Sequence, residues 1–237
     1  MKAYVESVIN VNQVNDLLKV EELAWNSPGA NVSASKLKIE CRVTSGQYVS
    51  LVKINGQAAG SQFAFRFNWD EDINSLSSWD NMTSDGWTDK VHIPDGNTGF
   101  LVGVGVVPEF RGQKFKHNFN WQEQLKVSEL LIAYTMERMF FNAYFENEQP
   151  VRNIIGNARV PFYHLRPDLS IEEYCDLKND NGLPFDPVLR FHVRMGAEII
   201  KPCLFSMEDE ESLNAGCWVK YTQANYYQQW IKGRYQK

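Results

Sequence analysis

Val106, Pro108, Arg111 and Gly112 stand at intervals suited to holding an anion. They close the run LVGVGVVPEFRGQ (101–113), whose first half is apolar and glycine-spaced and whose second half turns abruptly charged. A strand that feeds a helix through a glycine-containing turn leaves the first helical amides unpaired, with the positive end of the helix dipole behind them. Such a turn is a ready-made pyrophosphate site. Arg111 adds a permanent positive charge, and Gly112 lets backbone approach a ligand without a side chain in the way. From Arg111 to Lys126 the chain also holds Lys114, Lys116 and His117, against Glu123 as the only acid. The stretch is thus locally basic in a chain of net charge -5.

These residues need a strand, a turn and a helix to position them. Gly99 to Val107 reads as the buried strand, and Val127, Leu130, Leu131, Tyr134 and Phe141 fall on one face of a long helix. Ahead of them, Lys2 to Ile9 reads as a strand and Val11 to Leu23 as a helix. A second helix capped by Ser33 or Ser35 runs to Gly46. Asn55-Gly56 between Tyr48–Ile54 and Gln57–Phe67 predicts a hairpin. Asp70 to Asn97, rich in Asp, Asn, Ser and Gly but holding Trp79 and Trp87, reads as a long ordered loop. Beyond the central helix the pattern predicts strands at 151–155, 198–200 and 217–221. It predicts helices at 171–177, 186–195 and 223–235. A meander followed by a strand-helix-strand unit predicts an α/β fold, with one mixed sheet covered by helices on both faces.

Composition narrows the function classes. The length of 237 residues with 43% hydrophobic content fits a single globular domain, drawn as 1–222 with a helical tail at 223–237. A net charge of -5 argues against a general nucleic-acid coat or an anionic membrane surface, and no apolar run approaches spanning length. The start carries no secretory signal, so the expected location is the cytoplasm. Cys41, Cys175, Cys203 and Cys217 lie far apart, which predicts reduced core thiols rather than a disulfide framework or a metal site.

The turn resembles the strand-to-helix signature of the GNAT superfamily of acyl-coenzyme A-dependent N-acyltransferases. Val106, Pro108, Arg111 and Gly112 match its valine, proline, arginine and glycine. The family's next glycines are replaced by Lys114 and Lys116. An insertion from Lys114 to Leu125 restores the register, putting Lys126-Val127-Ser128 on the glycine, apolar and small positions, with SELLIAYTMERMF as the pyrophosphate helix. A second stretch, DPVLRFHVRMGAEI (186–199), resembles the family's fourth helix, with His192 on its tyrosine position and Gly196 on its glycine.

The resemblance implies a mostly antiparallel mixed sheet with a central parallel strand pair. It implies acyl-CoA, chiefly acetyl-CoA, as co-substrate, held by Val104, Val106, Arg111, Gly112, Gln113, Lys126, Val127 and Ser128. His192 is implied as the catalytic residue that protonates the departing thiolate, an imidazole titrating near neutral pH. A histidine that only packs on its helix is the alternative. Asn157, Arg159 and Tyr163 are implied at the acceptor pocket, with Arg159 either grasping an acceptor carboxylate or sitting in a structural ion pair. The central strand holds no glutamate to serve as base. Three functions stay open: transfer from acyl-CoA to a small-molecule amine, transfer from a carrier-protein or aminoacyl-tRNA donor, and a non-catalytic binding module. A homodimer is admitted by the family's habit.

Overall fold

The structure, a computed structural model, describes residues 1–25, 32–118, 123–141 and 149–232. Its centre is a seven-stranded sheet in the order β1-β2-β3-β4-β7-β9-β8. The strands are β1 (Ala3–Ser7), β2 (Tyr48–Ile54), β3 (Gln57–Phe67), β4 (Thr98–Val106), β7 (Asn153–Arg159), β8 (Ala197–Cys203) and β9 (Gly216–Thr222). All neighbours pair antiparallel except β4 and β7, which run parallel. The mixed, mostly antiparallel sheet with one central parallel pair is as the sequence implied.

Local chemistry explains the turns. Asn55 and Gly56 both take positive φ, 51° and 81°, as the two-residue hairpin between β2 and β3 requires. Gly60 and Ser61 are successive β3 residues and point to opposite faces. A Cβ at Gly60 would meet Val127 of α4 (Val127–Phe141) at 2.5 Å. Gly105, opposite Ser61, would meet Ala24 at the end of α1 (Val14–Ala24) at 3.2 Å. Helices therefore cover both faces. α4 is buried along nearly its whole length, from Val127 to Phe140. Behind α1 lies α2 (Lys36–Thr44), whose N-cap Ser35 accepts from the Lys38 amide.

Four differences from the sequence reading have physical causes. The long loop contains a short helix, α3 (Trp79–Thr83), capped by Ser78 and stopped by Ser84, Asp85 and Gly86, all at positive φ. The stretch from Lys114 to Leu125 is not only loop, because β5 (Lys114–Phe115) pairs with β6 (Leu125–Lys126) as a small hairpin. Residues 119–122 of it lie outside the described residues. β7 runs two residues later and four residues further than the apolar run, because β9 pairs with it through Asn157 and Arg159. β8 is longer at both ends than 198–200 for the same reason, its partner β9 being paired from Gly216 to Tyr221.

After β7 come α5 (Ile171–Asp176) and α6 (Pro187–Arg194). Asp186 caps α6 by accepting from the amides of Val188 and Leu189, with Pro187 at the first helical position. Gly196, at φ 98°, ends it against the backbone of Asn225, where a Cβ would be 3.0 Å away. α7 (Gln223–Tyr226) leads into a wider helical turn to Ile231, and residues 233–237 of the expected tail lie outside the described residues. No helix among the described residues is long and apolar enough to cross a membrane.

Candidate active site

The parallel pair is the feature that builds a site. β4 and β7 are in register from Thr98 opposite Asn153 to Leu101 opposite Gly156, and there the pairing ends. Both strands continue, to Val106 and Arg159. Among the described residues the β7-facing edge of β4 from Val102 onward therefore has no strand partner, and its backbone groups face a cleft. A bulge marks the same place. Phe63 pairs with Gly103 and Ala64 with Leu101, so Val102 is the extra residue. The indole of Trp79 donates to the Val102 carbonyl at 3.1 Å. A Cβ at Gly103 would meet nothing within 4 Å, which leaves open space beside the bulge.

The cleft opens into a cavity of about 630 Å³. Ser128, at the start of α4, lies at its lining, and so do Lys38 and Arg42 of α2. Trp25, Phe63, Trp79, Val104 and Phe191 form apolar wall, and an acidic group of Asp80, Asp85 and Glu208 also lines it. Burial pushes the Asp80 carboxyl above its ordinary value, helped by the neighbouring Asp85 charge. An apolar cavity with a few convergent polar groups is the expected form of a small-molecule site.

Five of the sequence candidates, Val104, Ser128, Asn157, Arg159 and His192, line the cavity. His192, on α6, places Nδ1 2.6 Å from the Tyr221 hydroxyl on β9. Burial pulls the imidazole down to about 4 and pushes the Tyr221 phenol well up. Both are therefore neutral at physiological pH. Tyr221 is fully buried, and the contact is made either by its hydroxyl donating to Nδ1, with the imidazole proton on Nε2, or by Nδ1–H donating to its hydroxyl oxygen. The near-neutral titration expected of this histidine is removed by burial. Asn157, 8% exposed, accepts from Ser206 Oγ at 2.8 Å, while its Nδ2 is buried without a partner among the described residues. A buried donor left unmatched beside a cleft is a place for a ligand acceptor.

The other candidates, and Arg159, are held differently. Arg111 donates through Nε to the Val106 carbonyl at 3.0 Å and through Nη2 to the Ala24 carbonyl at 2.7 Å. It thus ties the end of β4 to α1. Gly112 takes φ 74°, with open space where a Cβ would stand, and Gln113 donates to the Glu109 carbonyl. α4 begins at Val127, and Glu129 accepts from the Lys126 amide at 2.8 Å, so one of the helix-start donors is already used. Arg159 is held bidentately by Asp209, both bonds at 2.6 Å, and by Glu211 at 2.8 Å. Of its two expected roles, the structure presents the ion pair. Tyr163 lies apart from the cavity lining, donating to the Leu169 carbonyl and packing on Tyr174.

Two residues of the cavity were not singled out from the sequence. Glu21, on α1, accepts from the Ala34 amide, the Trp25 indole and Ser61 Oγ, and burial pushes its carboxyl upward despite those donors and the nearby Arg42 charge. Arg42 is 3% exposed, lies over the Phe63 ring at 4.7 Å and donates from Nη2 to the Gly86 carbonyl. Each lies on an amphipathic helix whose pattern is satisfied without a functional role, so only the fold brings them to β4.

No family model matches the chain. It is 28% identical over 174 residues, 73% of this chain and 67% of the other, to a Bacillus subtilis (strain 168) protein described as the uncharacterized N-acetyltransferase YkwB. Among solved structures, the loading GNATL domain of CurA from Lyngbya majuscula aligns with 93% of this chain and 97% of its own, at 19% identity and a TM-score of 0.72. The GphF GNAT-like decarboxylase in complex with isobutyryl-CoA aligns with 92% of this chain and 98% of its own, at 22% identity and a TM-score of 0.70. The ribosomal-protein-S18-alanine N-acetyltransferase of Escherichia coli follows the fold over 93% of each chain, at 8% identity and a TM-score of 0.53.

Proposed function

We propose that this chain, similar to a protein described as an N-acetyltransferase and sharing the fold of a GNATL domain, is a GNAT-type acyltransferase that moves an acyl group from an acyl-CoA thioester to the amine of a small molecule by direct attack in the β4–β7 cleft. The observation that carries this reading is the end of pairing at Leu101 and Gly156 beside the Val102 bulge. An extended chain such as the pantetheine arm fits between strands that part in this way. The open edge of β4 supplies backbone donors to the thioester carbonyl. The open space at Gly103 and the unmatched Asn157 Nδ2 support the fit. The donor diphosphate is assigned to Gly112, Gln113, Lys126, Val127 and Ser128 at the α4 start. Arg111 acts there by fixing the turn as well as by its charge.

The chemistry follows from the protonation states. The amine nitrogen bonds to the thioester carbon, the carbonyl becomes an oxyanion held by β4 amides, and the carbon–sulfur bond then breaks. One proton must pass from nitrogen to sulfur. A neutral His192 with its proton on Nε2 serves as a hydrogen-bond donor to the developing charge on sulfur or oxygen. Full transfer of that proton through Tyr221 would leave a buried phenolate, so the ammonium of the tetrahedral intermediate is the proton source. Asp80, Asp85 and Glu208 favour a cationic acceptor reaching the cavity. Asn157 serves the reacting carbonyl or the acceptor. Arg159 supports the β7 end through its ion pair, and Tyr163 acts only through packing.

Calorimetric titration with acetyl-CoA, followed by thiol-release assays over an amine panel, tests the proposal. Micromolar binding and amine-dependent thiol release are expected. Absence of CoA binding moves the donor to a carrier protein or an aminoacyl-tRNA. Binding without turnover in any assay leaves a binding module.

A further inference from the structure

The cavity contains a buried cation that the proposed transfer does not use. Arg42 is 3% exposed, yet among the described residues it makes one hydrogen bond, from Nη2 to the Gly86 carbonyl at 2.9 Å. Its Nε is buried without a partner among the described residues. Among the described residues no carboxylate stands within ion-pair distance of it. Glu21 and Asp89 influence it only at longer range, and burial draws the guanidinium down to about 10. A buried guanidinium without a contacting anion is costly unless something else supplies one.

Its position suggests what that is. Arg42 lies flat over Phe63 with 4.7 Å from guanidinium carbon to ring centroid, and Phe63 is the β3 partner of Gly103 at the bulge. The guanidinium is therefore one aromatic ring away from the place assigned to the thioester. Gly86, which holds Nη2, is the third of three successive residues at positive φ, so an unusual backbone turn presents this carbonyl to the arginine. The other cation of the cavity on α2, Lys38, is already bound through Nζ to the Asp85 carbonyl at 2.7 Å. Of the acids, Glu21 is occupied by three donors, and Asp80, Asp85 and Glu208 form a separate group in the lining.

We infer that Arg42 is a specificity residue that receives a carboxylate carried by one of the two reacting molecules, at the far side of Phe63 from the bulge. This rests on the transfer reading above and gives it a substrate class. The carboxylate belongs either to the acceptor, as in an amino acid, or to the acyl group, as in a dicarboxylic monothioester. Planar paired donors on the guanidinium match either one.

Wild type, Arg42→Gln and Arg42→Lys are titrated by calorimetry with acetyl-CoA and malonyl-CoA. They are then titrated, with and without saturating CoA, with matched amines such as alanine against ethylamine and phenylalanine against phenethylamine. In one arm the carboxylated ligand binds wild type about 10- to 100-fold more tightly than its uncharged counterpart. Preference for malonyl-CoA assigns the carboxylate to the donor, and preference for the amino acid assigns it to the acceptor. Arg42→Gln abolishes the preference, and Arg42→Lys keeps part of it. In wild type labelled at arginine Nε, the Arg42 Nε–H signal shifts with the carboxylated ligand only, which reads the site even where a variant does not fold. No preference in either arm, or one that survives Arg42→Gln, overturns the inference. Failure of every thioester to bind overturns the donor reading instead, and the amine pairs on unloaded protein still test Arg42.

Discussion

Replacing Asp186 with alanine should weaken the fold and disable the site together. The carboxylate is 1% exposed and accepts four hydrogen bonds, from the amides of Val188 (2.8 Å), Leu189 (3.1 Å) and Phe162 (3.4 Å) and from the Tyr174 hydroxyl (2.9 Å). Loss of an N-cap costs about 1 kcal/mol, and the Tyr174 bond to a charged acceptor contributes about 1.5 kcal/mol more. The Phe162 bond is long and adds little. Against this, burial pushes the Asp186 carboxyl above its ordinary value, so removing it recovers part of that loss, about 1 kcal/mol for an unfavourably buried polar group. The net expectation is a loss of about 1.5 kcal/mol, or about 3–6 °C in Tm for a domain of this size. Urea and thermal unfolding followed by circular dichroism read the stability. Thiol-release kinetics read the consequence for His192, six residues along the same helix. Turnover should fall while acetyl-CoA affinity holds, because the donor cleft is built by β4, β7 and α4. A variant as stable as wild type, with unchanged turnover, would refute the claim that this cap fixes α6.

Tyr221→Phe removes the hydroxyl that orients His192 and should lower kcat about 10-fold with little change in the thioester KM, measured by steady-state kinetics. Gly103→Val fills the open space beside the bulge and should weaken acyl-CoA binding at least 10-fold by calorimetry, with Tm nearly unchanged. Arg159→Ala leaves Asp209 buried without its bidentate partner, so Tm should fall by several degrees while acceptor KM stays level. His192 is held below its ordinary 6.5 in the folded state, so the unfolded chain binds the extra proton between pH 6.5 and about 4. Folding stability should therefore decline as pH falls through that window, and His192→Gln should flatten the slope in pH-dependent urea titrations.

Elements with strong local signals were legible in the sequence. Asn55-Gly56 admits few turns, Gly99 to Val107 is too apolar for a surface segment, and the apolar face beginning at Val127 marks where α4 starts. The implied parallel pair stands as β4 and β7. Hidden were features that depend on partners distant in sequence. Trp79 sits in a stretch of turn-forming residues, and its helix exists because Ser78 caps it and its indole meets Val102. The polar end of β7 reads as loop until β9 is laid beside it. Arg159 finds Asp209 fifty residues later, and no spacing rule connects them. Glu21 and Arg42 look like ordinary helix polar positions until α1 and α2 are folded onto β3 and β4.

The most direct test of the central claim is a crystal structure with a non-hydrolysable acetyl-CoA analogue. The pantetheine arm is expected between β4 and β7, with the carbonyl within hydrogen-bond reach of the open β4 edge from Val102 to Val106 and His192 Nε2 facing the sulfur. A ligand bound elsewhere, or β4 and β7 closed together past Leu101 and Gly156 with no ligand between them, would contradict it.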